Sequence, residues 1–201
     1  MVAMQHETLG RERILVAARA LFAEQGFHQT SMAELAALAK VSVGQIYRLF
    51  KGKEDIIAAI VDDDKRVRLD GMMALCARLK AGEISIEETF EQLVLSAMSQ
   101  KSEALSFDIL AEAFRNPVVG ATITSLCVRY KMLLREFACM ANPALSSEAL
   151  DGAEEMLLAC LFGLGHRSLS RPALNASSTA SHTARIILAG LQGANGKGAA
   201  H

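Results

Sequence analysis

Apolar residues along this chain recur every three or four positions, and the strict alternation of a half-buried strand is scarce, which is the periodicity of helices. Over residues 9–25, Ile14, Ala17, Ala18, Leu21 and Phe22 form one stripe, and Gly26 supplies a stop. Arg11, Arg13 and Arg19 lie off the stripe and are left for solvent or a partner. Ser31 followed by Glu34 is a capping-box signature that opens a short helix over 32–39, with Leu35 and Leu38 turned inward; Thr30 is the alternative cap. After a break at Lys40-Val41-Ser42, Ser42 can cap a third short helix over 43–50 whose Ile46, Leu49 and Phe50 look inward. Three short helices of this kind make one compact unit.

A long helix is expected from Glu54-Asp55, acidic residues suited to a helix start, through Ile56, Ile57, Ile60, Val61, Val67 and Leu69 to about residue 79. Further helical patterns cover about 86–100, 103–115, 118–140, 148–169 and 179–191, with breaks at Ala81-Gly82, Asn116-Pro117, Asn142-Pro143 and Arg171-Pro172. The expected fold class is all-α: an N-terminal three-helix domain over 1–53, a helical bundle over 54–192, and a Gly-rich tail over 193–201 with no amphipathic pattern.

Composition narrows this picture. With 201 residues, 51% hydrophobic, 21% charged and 3 Pro, disorder, collagen and a small disulfide scaffold are excluded. No apolar run approaches the ~20 residues that span a bilayer, and the first thirteen residues carry charges where a signal peptide needs an apolar stretch, so a cytoplasmic location and no membrane partner are expected. Cys76, Cys127, Cys139 and Cys160 stand singly inside apolar patterns, which fits packing in a reducing compartment rather than metal or disulfide chemistry. Residues 1–53 hold seven Lys/Arg against four Asp/Glu, and the rest fourteen against eighteen, so a net charge of −1 divides into +3 in front and −4 behind. A basic front suits a polyanion partner, and a solvated helix face produces the same count.

Catalytic motifs are missing. His6, His28, His166, His182 and His201 form no i, i+4 pair, the acidic clusters at Glu87, Glu88 and Glu91 and at Asp62, Asp63 and Asp64 read as solvated faces, and there is no G-x-S-x-G, P-loop or G-x-G-x-x-G. The chain is therefore not expected to be an enzyme, and no cofactor or metal is implied.

The front segment instead follows helix-turn-helix logic, in which the second of two short helices enters the major groove of DNA. Ala36 is small where two helices must cross, and Ile46, ten positions later, fills the angle between them; Lys40 at the turn needs a left-handed conformation. The run Ala20-Leu21-Phe22 to Gly26-Phe27, then Thr30-Ser31-Met32, then Val41 to Phe50 followed by Lys53-Glu54 resembles the DNA-binding domain of the TetR family of transcriptional regulators. The likeness covers about 45 residues; the length, the helical remainder and the Leu-rich stretch 156–169 are similar to the family's ligand-binding and dimerisation domain.

The resemblance implies that Val43, Gly44 and Gln45 approach bases, Gln45 being able to bond an adenine edge bidentately. It implies that Tyr47 and Lys53 hold phosphates and that Ser31 and Ser42 offer donors to the same backbone; Thr30 and Arg48 complete the candidate DNA-facing set. Two departures bear on specificity: Gln45 stands where a small Thr is common, and Leu49 where His or Tyr is usual.

The implied function is a ligand-responsive regulator, a repressor that binds a palindromic operator in double-stranded DNA as a homodimer and is released by a small apolar or amphipathic effector. Met72, Met98, Phe107, Leu110, Phe114 and Met132 are the candidate pocket residues, and each can equally be core. Leu157, Leu161, Phe162, Leu164, Ile187 and Leu191 are the candidate dimer interface, with an apolar internal hairpin as the alternative. From another class, a helical small-molecule-binding or interaction module that has lost specific DNA binding fits the thin front charge, and steep salt dependence of DNA binding separates the two.

Overall fold

The computed structural model describes residues 2–99 and 102–194, and among them the regular structure is helical. The order is α1 (Val2–Gln25), α2 (Met32–Ala39), α3 (Val43–Leu49), α4 (Lys53–Lys80), α5 (Ile86–Met98), α6 (Glu103–Arg115), α7 (Pro117–Ala141), α8 (Ser147–Gly165), a 3-10 turn (Arg167–Ser170) and α9 (Ala176–Gly193). Two compact units result. One is the chain up to Arg66 together with Ser102–Leu126, and the other comprises the segments that start at Val67 and at Cys127; α4 and α7 contribute to both. The first unit therefore includes α6, which the sequence pattern alone does not join to the front helices.

The first unit is organised around the stripe of α1. Ile14, Ala17, Ala18 and Phe22 meet Leu35 and Ala36 of α2, Ile46 of α3, Ile56, Ile57 and Ile60 of α4 and Leu105 and Ile109 of α6 in one buried cluster. At the turn between α2 and α3, Lys40 adopts φ 54, ψ 48, and its N–H and that of Val41 close onto the carbonyls of Ala37 and Ala36. A non-glycine residue in that conformation costs of order 1 kcal/mol, and the two carbonyls it satisfies offset that. Gly26, at φ 87, ends α1 with its N–H on the Phe22 carbonyl. Leu38 is exposed, not inward, because Leu35, Ala36 and Ala39 already fill the buried face of the short α2.

In the second unit α5 packs on α8 and α9. Phe90, Leu93 and Val94 of α5, Leu134, Phe137 and Ala138 of α7, Leu157 of α8 and Ala184, Ile187 and Leu191 of α9 share its core.

Several boundaries differ from the periodicity. α1 begins at Val2, about two turns before the start at residue 9 that the periodicity predicts. Pro117 opens α7 rather than separating it from α6: it occupies the first helical position, where its missing N–H costs nothing, and the Asn116 side chain accepts the Val118 N–H at 3.0 Å. α8 stops at Gly165, and Leu169 lies outside it, exposed in the chain that leads to Pro172. α9 starts at Ala176, capped by Asn175, and runs through Gly190 to Gly193 because Leu191 is buried and its carbonyl accepts from the Asn142 amide at 2.9 Å. Of the expected tail, 195–201 lie outside the described residues. No described helix is long and apolar enough to cross a membrane.

Candidate DNA-binding interface

α2 and α3 are too short to persist alone, so their termini need local partners. At α2 the Ser31 hydroxyl oxygen accepts the Glu34 N–H at 3.2 Å, while the Glu34 carboxylate accepts the Ser31 N–H at 2.8 Å and its hydroxyl at 2.7 Å. Ser31, not Thr30, is thus the cap, and these bonds hold the Glu34 carboxyl below the ordinary carboxylate range. At α3 the Ser42 hydroxyl oxygen accepts the Gln45 N–H at 3.1 Å.

α3 has one face in the core and one in solvent. Ile46 is fully buried and Leu49 half-buried, while Val43, Gly44, Tyr47 and Arg48 are exposed, Tyr47 at 54%. Gln45 is half-buried, because its carboxamide lies against α1 at Gly10. Arg48 approaches Glu7 at 3.7 Å, and the Arg11 guanidinium lies 5.9 Å from the centre of the Phe50 ring. Arg13, Lys40 and Lys51 are exposed as well.

Two residues expected at this surface are placed elsewhere. Thr30 is 1% exposed: its hydroxyl donates to the Gly26 carbonyl at 2.9 Å and accepts from the Gln25 amide at 3.3 Å, so it braces the α1–α2 turn from inside. Lys53 donates from Nζ to the carbonyls of Phe27, His28 and Thr30 at 2.8, 3.1 and 2.8 Å, 4.9 Å above the Phe27 ring. All three ammonium protons are committed to the turn, which leaves positive charge but no donor for a phosphate. Arg19 is also engaged, with Asp63 at 3.2 Å and Asp64 at 2.8 Å, so neither it nor those two aspartates form a merely solvated face. The sequence pattern does not show that α6 holds the same turn: the Asp108 carboxylate accepts the Phe27 N–H at 3.0 Å.

The candidate pocket residues are not gathered in one place within either unit. Phe107, Leu110 and Phe114 belong to the first unit, with Phe107 exposed, Leu110 half-buried and Phe114 93% exposed; Met72, Met98 and Met132 belong to the second, with Met72 buried, Met98 half-buried and Met132 exposed. A cleft of about 310 Å³ in the second unit includes Met72, and beside it Leu75 and Leu93 with the polar Arg78, Gln92 and Ser96. Arg78 donates to the Gln92 side-chain oxygen at 3.2 Å.

Among the candidate interface residues, Leu157, Ile187 and Leu191 are corrected to core: Leu157 is 1% exposed and the other two nearly as buried, all within their own unit. Leu161 and Leu164 are half-buried and Phe162 is exposed. Met156, Ala159 and Phe162 of α8 are exposed, as are Ile186, at 72%, and Ala189 of α9.

A helix-turn-helix with a half-exposed second helix is an arrangement that DNA-binding proteins share. Residues 14–60 match the family described as bacterial regulatory proteins, tetR family. The HTH-type transcriptional regulator UidR of Escherichia coli K12 is 34% identical over 113 residues, 56% of each chain, so the chain spans little more than half the length of the curated relatives it matches. Salmonella enterica GusR shares 26% identity over 90% of this chain and 94% of its own, with a TM-score of 0.66. The fatty acid degradation regulator FadR from Bacillus halodurans, at 19% identity, covers 89% of this chain and 94% of its own with a TM-score of 0.69, a likeness of fold. The likeness to the TetR family is carried by residues 14–60, which hold the helix-turn-helix.

Proposed function

We propose that this protein is a ligand-responsive, DNA-binding transcriptional regulator. It acts in the cytoplasm as a repressor, binding a palindromic operator as a homodimer. The observation that carries the reading is α3: a short helix pinned by Ile46 to the core, whose opposite face presents Val43, Gly44, Tyr47 and Arg48. Such a helix can enter a major groove with its first residues at base edges. Val43, Gly44 and Gln45 approach bases; Tyr47, Arg48 and the Ser42 hydroxyl approach phosphates, and the α2 N-terminus at Ser31 faces the same backbone. Residues 1–53 are the reading head, and 54–192 hold the effector and the partner protomer.

Two heads must reach successive major grooves about 34–36 Å apart. In this proposal the copies pair through the apolar face of Met156, Phe162 and Ile186, which is exposed in the single chain. The effector is a small apolar or amphipathic molecule, and the Met72 cleft, with Arg78 and Gln92 at its edge, suits an amphipathic one.

Recovery of genomic DNA fragments by the purified protein tests this reading. One palindromic site should be enriched by the wild-type protein and lost with Tyr47→Ala. Failure to enrich any site at about 50 mM salt would favour the ligand-binding module without DNA specificity.

A further inference from the structure

Gly10 lies inside α1, where glycine is disfavoured relative to alanine, and it is buried. Its backbone is not in the left-handed region, where the described glycines are Gly26 and Gly82. Conformation therefore does not explain the residue, and the space beside its Cα is occupied. A Cβ added at Gly10 would stand 2.9 Å from Nε2 of Gln45 and 4.0 Å from Leu49 Cδ1. The carboxamide of the one recognition-helix residue able to bond an adenine edge at two points is thus laid against bare backbone of α1. Neighbouring contacts join the same segments: Glu7 approaches Arg48 at 3.7 Å, and Arg11 lies 5.9 Å from the ring centre of Phe50, which caps α3.

We propose that Gly10 is a specificity-determining position: its missing side chain admits the Gln45 carboxamide between α1 and α3, and so sets which base edge that carboxamide meets. The consequence rests on α3 being the DNA-reading helix. Gln45 is flexible at its far end, so a methyl group at position 10 displaces the carboxamide rather than the helix. Gly10 never has to touch DNA. It is a positioning residue acting through Gln45, and a merely structural glycine would alter stability while leaving base preference alone.

Selection from randomised duplexes by the full-length protein tests this, with four proteins compared: wild type, Gly10→Ala, Gln45→Ala and the two changes together. A bidentate side-chain contact discriminates among bases by about 5- to 150-fold. Gly10→Ala should fold and bind, and should lose or redirect that preference at one position in each half-site, the same position that Gln45→Ala loses. The double variant should select the same sequences as Gln45→Ala alone. An unchanged preference in Gly10→Ala, or the same change in both Gln45 backgrounds, would overturn the proposal while leaving the DNA-reading function intact. If the wild-type protein selects no sequence, the DNA-reading function itself fails and the proposal with it. Independently of any variant, NMR of the wild-type protein should show the Gln45 side-chain amide protons close to the Gly10 Hα protons, and absence of that contact also overturns the proposal.

Discussion

Replacing Lys53 with Met separates a residue that builds the DNA-binding head from one that touches DNA. Lys53 Nζ donates to the carbonyls of Phe27, His28 and Thr30, and the Phe27 and Thr30 bonds are partly buried while the His28 bond is exposed. A hydrogen bond to a charged group contributes roughly 1.5–3 kcal/mol, and water can replace the exposed one. Two bonds at the lower end of that range, with about 0.5 kcal/mol for the cation over the Phe27 ring, amount to about 3.5 kcal/mol. Lys53 is also the first residue of α4, and removing a cation from a helix N-terminus returns about 0.5 kcal/mol. The expected loss is therefore about 3 kcal/mol, and with an m-value near 2 kcal/mol/M the urea midpoint should fall by about 1.5 M. Lys53→Arg keeps the charge but cannot converge three donors on one turn, so it should also lose stability. Once folded, Lys53→Met should retain the salt dependence of operator binding, whereas loss of a phosphate contact would lower the slope of log K against log salt by about 0.9. A wild-type urea midpoint combined with a reduced slope would refute the structural assignment.

Three other outcomes follow from the geometry. Leu157→Ala should destabilise the second unit by about 2–5 kcal/mol in urea unfolding, while Met156→Glu together with Ile186→Glu should leave its helical circular dichroism unchanged and convert the proposed dimer to monomer in sedimentation; the reverse pattern would return Leu157 to the interface. The Cys76 and Cys160 thiols are pushed up by burial, so both should react slowly with iodoacetamide at pH 8, about half a unit below an ordinary thiol pKa, and fast labelling of either would contradict that upward shift. Glu34 and Glu88 are held below the ordinary carboxylate range by bonds from Ser31 and Ser85. A depressed folded pKa gives stability that is present above the unfolded value and lost as pH falls through the folded one, so amide protection, measured against the intrinsic exchange rate at each pH, should fall in the first turns of α2 and α5 below about pH 4, and not in Glu34→Gln or Glu88→Gln.

What was legible in the sequence depended on range. Ser31, Ser42 and Lys40 act within four residues of themselves, through caps and a left-handed turn, and the chain pattern points to each of them. Ala36 and Ile46, ten residues apart, were readable because a helix-turn-helix crossing requires a small residue against a branched one. Lys53 and Asp108 were not. The Lys53 bonds to the turn span 23 to 26 residues and the Asp108 bond spans 81, and no local periodicity records such a pairing. On α8 and α9 the difficulty is phase. Met156, Leu157, Leu158 and Leu161 are apolar around most of the circumference, so the pattern marks a helix covered on two sides without saying that Leu157 faces its own core and Met156 faces out. The pocket residues were chosen by type, and type alone does not say which of them share a cavity.

The most direct measurement is a hydroxyl-radical footprint of the protein on the site recovered from genomic DNA, repeated with Tyr47→Ala. A dimer presenting two copies of α3 should protect two stretches centred about 10–10.5 bp apart on one face of the duplex, with both protections lost in the variant. A single protected stretch, or protection that survives Tyr47→Ala unchanged, would contradict the assignment of α3 as the DNA-reading helix of a symmetric dimer.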